Sequence, residues 1–266
     1  MPRFGETIND TNVLPFPGRL SAAAPVGTTS LPPVLVVLHQ ERSTPGRVGN
    51  VLRALGHRLD IRRPRFGDPL PETLDNHAAA VFFGGPMSAN DSDDYVHREI
   101  DWIEIALREQ RPFLGICLGA QMLAMQLGAK VAPHPLGLTQ IGYYPIRPTE
   151  AGEMLCPNWP GQVYHWHREG FGLPKGCELL AEGDDFPVQA FRSGNAFGFQ
   201  FHPDVTTAMM HCWTTRGPMD QPGAQPRHRH FEGRAMYDVA ERAWLAKFIE
   251  DWLALMPAVP MAQAAE

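Results

Sequence analysis

The sequence is poor in the features that mark several large protein classes. Only four of its 266 residues are cysteines (Cys117, Cys156, Cys177 and Cys212). They are widely spread and form no C-x-x-C pair, which argues against a disulfide framework and a recognisable zinc site. That usage fits a reducing, cytoplasmic setting. No apolar run approaches the roughly 18 residues of a membrane-spanning helix, and no basic start followed by an apolar stretch marks a secretory signal. Positive charge is not in excess either: 23 Lys and Arg stand against 29 Asp and Glu, a formal net charge of −6. A basic surface that would displace counterions from nucleic acid is therefore not expected, and neither a nucleic-acid nor a membrane partner is. A phosphate loop of the G-x-x-x-x-G-K type is missing too, and no internal repeat is visible.

What is present reads as a globular chain, 44% apolar and 20% charged, with enough apolar material for a sizeable core. Residues 1–31 are rich in Pro, Gly and Ala with weak periodicity, and are expected to form a flexible or oligomer-forming arm. Residues 32–256 read as one domain and 257–266 as a flexible tail. Val34 to Leu38 is a continuous apolar run, the pattern of a strand buried on both faces. Val48, Val51, Leu52 and Leu55 then recur at helical spacing, and His57–Arg62 alternates as a second strand. Ala78–Phe83 reads as a third buried strand. A helix carrying Val96, Ile100, Ile103 and Leu107 follows, and then Pro112–Ile116 as the fourth strand. This alternation predicts an α/β fold with a mostly parallel sheet covered by helices on both faces. Beyond residue 129 shorter strand-like pieces follow, near 141–146, 161–166, 187–192 and 196–201. Residues 208–234 are expected to be an irregular insertion, with His228 and His230 in a polar loop. A last helix is expected from about 235 to 255.

The most informative stretch is Gly115-Ile116-Cys117-Leu118-Gly119-Ala120-Gln121. A residue between a buried strand and a helix, with glycines two positions to either side, fits a nucleophile elbow. A helix N-terminus beneath the sulfur favours thiolate, and the Leu118 N–H would face the same space as an oxyanion donor. The plain alternative is a buried core cysteine. Phe197-Gly198-Phe199-Gln200-Phe201-His202-Pro203-Asp204 alternates as a strand ending in His202. An accessible imidazole is expected there, with Asp204 placed to orient it as the third member of a triad. Phe83-Gly84-Gly85-Pro86-Met87 follows a buried strand and should emerge at the same edge of the sheet, making Gly85 the second oxyanion donor.

Together, G-G-P-M, G-I-C-L-G-A-Q and F-G-F-Q-F-H-P-D resemble, in order and approximate spacing, the three signatures of class I glutamine amidotransferase domains. The similarity covers roughly residues 34–207 and is nearest to the amidotransferase domain of GMP synthase and its stand-alone relatives. The resemblance implies a three-layer α/β/α, flavodoxin-like domain and no cofactor. It implies that Cys117, His202 and Asp204 are catalytic, and that Gly85 and Leu118 form an oxyanion hole. It also implies that Pro86, Met87, Gln121, His165 and His167 line a glutamine pocket. Glutamine or a γ-glutamyl compound would be the substrate, and a separate synthetase could accept the ammonia, since no synthetase domain follows in this sequence. Two departures stand out: Asp204 occupies the place of the family's usual glutamate, one methylene shorter, and no attached acceptor domain is expected. Three readings stay open: a glutaminase subunit or stand-alone amidotransferase, a hydrolase of other γ-glutamyl amides or peptides, and a non-catalytic binding or regulatory relative. A metal held by His165-x-His167 is weighed and set aside for want of further ligands.

Overall fold

A computed structural model of the chain describes residues 31–256, so the expected N-terminal arm and C-terminal tail lie outside the described residues apart from Leu31. Four strands and three helices alternate first: β1 (Val34–Val37), α1 (Gly46–Ala54), β2 (Leu59–Arg62), β3 (Ala79–Phe82), α2 (Asp94–Arg108), β4 (Phe113–Ile116) and α3 (Leu118–Gln126). The second half adds β5 (Val131–Pro133), β6 (Gln140–Pro145), β7 (Arg147–Pro148), α4 (Glu150–Leu155), β8 (Gln162–His167), β9 (Glu169–Phe171), β10 (Glu178–Glu182), β11 (Val188–Ser193), β12 (Ala196–Phe199), α5 (Thr207–Arg216) and α6 (Arg227–Leu253).

The main sheet has eight strands in the order β2-β1-β3-β4-β12-β11-β10-β7. Its first five are parallel, and the last three continue it in antiparallel fashion. The period-2 side-chain alternation divides each central strand between two cores. Val34 and Val36 face one side with Val48 and Leu52 of α1 and Trp244, Phe248 and Trp252 of α6. Leu35 and Val37 face the other with Val96, Ile100 and Ile103 of α2 and Leu118, Met122 and Leu123 of α3. This is the expected three-layer α/β/α architecture, and strand order reverses between β1 and β3.

α2 forms because its apolar residues make one stripe, while Asp94 in its first turn and Arg108 in its last suit the helix dipole. α3 is apolar all round and buried from Leu118 to Ala124, as a helix wedged between sheet and neighbours must be. β6 and β8 leave the main sheet and pair as an antiparallel ribbon. Their Tyr143 and Tyr164 pack with Val205 and Met210 in a third, smaller core.

The expectation for residues 208–234 needs correction. Thr207–Arg216 is helical, capped by Thr206, whose side chain accepts the Met209 N–H. α6 begins at Arg227 rather than near 235, so His228 and His230 stand on a helix. The N-terminal turns of α6 lack the apolar stripe that marks a helix in sequence; they rest on the ribbon instead. Gly233 lets Tyr143 approach so closely that a Cβ there would lie 2.4 Å from its ring. Buried His230 joins the Tyr164 hydroxyl and the Gln225 carbonyl, each at 2.9 Å.

Candidate active site at the carboxyl edge of the sheet

Four adjacent parallel strands, β1, β3, β4 and β12, release their chains at one edge, and each carries a polar feature just past its end. β4 delivers Cys117. Its φ of 51° and ψ of −105° lie where side chains other than glycine are strained, and its N–H donates to the Phe199 carbonyl of β12 at 2.7 Å. The flanking glycines have a direct cause. A Cβ on Gly119 would lie 2.2 Å from the Phe82 carbonyl oxygen, and one on Gly115 would lie 2.4 Å from that of Gly119. Strand and helix can meet this tightly only without those atoms.

β12 carries the chain to His202, whose N–H donates to the Tyr164 carbonyl at 2.7 Å. The His202 Nδ1 lies 3.1 Å from Asp204 Oδ1, so the shorter acid reaches the imidazole. A close approach behind Asp204 accompanies that reach. Its carbonyl accepts the Arg47 N–H at 2.8 Å, and a Cβ on Gly46, whose φ is +49°, would lie 2.0 Å from the same oxygen. The imidazole is not accessible as expected: His202 is 5% exposed, as is Cys117. The ring meets Trp213 of α5 edge-on at 4.9 Å between centroids. Burial works against charge on His202, yet Cys117 and Asp204 outweigh it and push its pKa up to about 10.

Gly84 and Gly85 follow β3. A Cβ on Gly84 would lie 2.6 Å from His202 Cε1 and 3.4 Å from Cys117 Cβ, so this loop borders both groups. Neither the Gly85 nor the Leu118 N–H donates to a main-chain carbonyl among the described residues. The structure places the remaining expected pocket residues as follows. Pro86 is exposed and Met87 half-buried. The Gln121 amide is turned inward and donates to the Glu169 carbonyl at 2.9 Å. His165 and His167 are joined Nδ1 to Nε2 at 3.1 Å, and His167 Nδ1 donates to the Glu169 carbonyl at 3.0 Å. Burial lowers both, His167 to about 3, so the chain of rings is neutral. Among the described residues no group of three or more His, Cys, Asp or Glu could hold a metal ion, and no helix is long and apolar enough to cross a membrane. His39, at the end of β1, was missed in the sequence, although its place after a buried strand put it at the same edge. Trp213 carried no signal at all, since a helix there was not expected.

A strained cysteine with a charged imidazole on the next strand is the arrangement of a nucleophile and its proton carrier. The sequence profile of class I glutamine amidotransferases matches residues 42–211. The chain belongs to the class I glutamine amidotransferase family. It is 31% identical over 219 residues to the glutamine amidotransferase-like protein YfeJ of Salmonella typhimurium, an alignment covering 78% of this chain and 88% of that one. To a glutamine-hydrolysing GMP synthase subunit of Ignicoccus hospitalis it is 29% identical over 159 residues, 58% of this chain and 79% of the other. The crystal structure of a glutamine amidotransferase from Methylobacillus flagellatus shares the fold of this family member. Its TM-score is 0.79 at 23% identity, covering 89% of this chain and all of that one.

Proposed function

We propose that the chain cleaves the side-chain amide of glutamine, or of a γ-glutamyl compound, through a thioester on Cys117. The observation that carries this reading is the strained Cys117 at the carboxyl edge of the sheet, bordered by the same Gly84 as the buried, Asp204-paired imidazole of His202. In the reaction the Cys117 sulfur adds to the amide carbon. The developing oxyanion would accept from the N–H groups of Gly85 and Leu118, neither of which is taken up by a main-chain carbonyl among the described residues. His202 delivers its proton to the departing nitrogen, the C–N bond breaks, and ammonia or an amine leaves. Water then adds to the thioester carbon with His202 taking its proton, and the carboxylate product and free thiol are released. Asp204 holds the imidazole in the tautomer that keeps Nε2 toward the reacting atoms. Gln121 would act by pinning β9 to the first turn of α3, beside the nucleophile.

Trp213 favours a second reading. It borders His202, the proposed proton donor to the leaving group, and would give an amine larger than ammonia an aromatic surface beside that ring. A separate ammonia-accepting protein is the corresponding proposal for the first reading, supported by the similarity to the GMP synthase subunit of Ignicoccus hospitalis. The test is release of ammonia or amine from glutamine, γ-glutamyl amines and γ-glutamyl peptides, each measured beside Cys117→Ala. Turnover of glutamine alone supports the amidotransferase reading; turnover of the conjugates alone supports the hydrolase. A folded wild type that turns over none of them and is not labelled at Cys117 by a glutamine-analogue electrophile would overturn both.

A further inference from the structure

The His39 imidazole is enclosed between two partners far apart in sequence. Its Nε2 is 2.8 Å from Glu99 Oε2 of α2, and its Nδ1 is 3.2 Å from the Gly84 carbonyl oxygen. Both side chains are fully buried, at 0% exposure. A carbonyl oxygen can only accept, so Nδ1 carries a hydrogen and donates it. The short contact on the other side then requires a proton shared between Nε2 and the carboxyl group, because two bare acceptors would repel. Glu99 thereby fixes the ring in place, with its Nδ1–H facing Gly84.

The acceptor in this contact is special. The carbonyl of Gly84 and the N–H of Gly85 are opposite ends of one trans peptide plane. Holding the oxygen toward His39 therefore aims the N–H to the other side. Gly84 itself abuts His202 and Cys117, so that orientation matters to the reacting centre. Two successive glycines would otherwise let this peptide rotate with little steric resistance. Among the described residues no main-chain N–H holds the Gly84 oxygen in place of His39. We propose that His39, held by Glu99, is a positioning residue that sets the Gly84–Gly85 peptide, so that the Gly85 N–H serves with Leu118 N–H as an oxyanion donor. This rests on the amide-cleaving reaction proposed above and names a part of it that acts without touching substrate.

The test uses the full chain. Removing His39 alone would leave Glu99 buried and unpaired, so the informative variant is the double change His39→Leu with Glu99→Leu. Its kcat should fall about 100-fold with KM within about threefold, the pattern of a lost transition-state contact. Alkylation of Cys117 by iodoacetamide passes through no oxyanion, so its rate should stay within about twofold of wild type. Glu99→Gln keeps a hydrogen-bonded partner on Nε2 and should lose only about threefold in kcat. Glu99→Leu keeps the ring but removes the partner that fixes its position, and should lose about tenfold. A crystal structure of the double variant should show the Gly84–Gly85 peptide turned or in two orientations. Unchanged kcat in the double variant, an alkylation rate that falls in step with kcat, or a peptide oriented as in wild type would each overturn the proposal. A wild type inactive on every γ-glutamyl amide would overturn the function reading instead, and the peptide orientation would still decide the role of His39.

Discussion

Cys117 and His202 are both 5% exposed, and the balance of burial against neighbouring groups at the imidazole governs the residue scale. His202 is raised from 6.5 to about 10 because Cys117 and Asp204 outweigh burial. Its imidazole is therefore expected to stay protonated through neutral pH. NMR of the ring should show no titration near pH 6.5 in wild type, and a fall in its pKa in both Cys117→Ala and Asp204→Asn. An ordinary titration in wild type would show that Cys117 and Asp204 do not outweigh burial at His202. Asp204→Asn should lower kcat by about 10²- to 10⁴-fold, since the amide favours the wrong tautomer; an active Asp204→Asn would show that another group orients the ring. His202→Ala should lose activity and also about 1–3 kcal/mol of stability, read by chemical unfolding, because the ring is packed against Trp213 rather than free in solvent.

At the scale of elements, Asp204, the acid of the proposed triad, rests against a helix through its backbone. The first turn of α1 meets the Asp204 backbone through Arg47 N–H and the empty Cβ position of Gly46. Gly46→Ala combines a positive φ with a 2.0 Å clash, so it should destabilise the fold by about 1–3 kcal/mol and lower kcat with it. A variant with wild-type unfolding midpoint and kcat would show that α1 does not support the acid. α5 holds Trp213 against His202 and is capped by Thr206. Thr206→Ala should cost about 1 kcal/mol and speed amide hydrogen exchange in 207–216 before it affects the sheet. The alternating strands and helices up to residue 126 were legible, as were Cys117 and His202, because period and punctuation act locally there. α5 and the first turns of α6 were not, since Met209, Met210 and Trp213 are buried or half-buried by contacts with the ribbon rather than by a regular stripe. Asp204 was legible as a candidate, but its reach was not: one methylene is decided by how near α1 brings the backbone.

For the whole molecule, α6 ties the layers together. Its Asp238 and Glu241 meet Arg47 of α1, with Glu241 Oε2 at 3.4 Å, while Trp244, Phe248 and Trp252 continue into the core under the sheet. Burial raises Glu241 from 4.5 to about 7, against the pull of Arg47. A carboxyl raised in the folded state binds its proton more tightly there than in the unfolded chain. Its contribution to stability is therefore complete below pH 4.5 and lost as the pH rises through 7. Unfolding by guanidinium at pH 4.5 and pH 8 should show this loss in wild type, and Glu241→Gln should flatten it. Equal pH dependence in the two proteins would show that the buried carboxyl is not perturbed.

By itself, the sequence determined the parallel α/β layers and the elbow at Cys117, because apolar periodicity and glycine spacing are properties of neighbouring residues. It also placed Gly85, Leu118 and His202 at one edge, since a parallel sheet sends the ends of all such strands the same way. Only the tertiary structure decided what surrounds them. It turned Gln121 inward, paired His165 with His167 and buried His202 beneath Trp213. It also joined His39, just past β1, to Glu99 of α2 and to the loop that borders Cys117. Those contacts link residues up to 60 positions apart, and no local rule of spacing specifies which side chains a folded edge brings together.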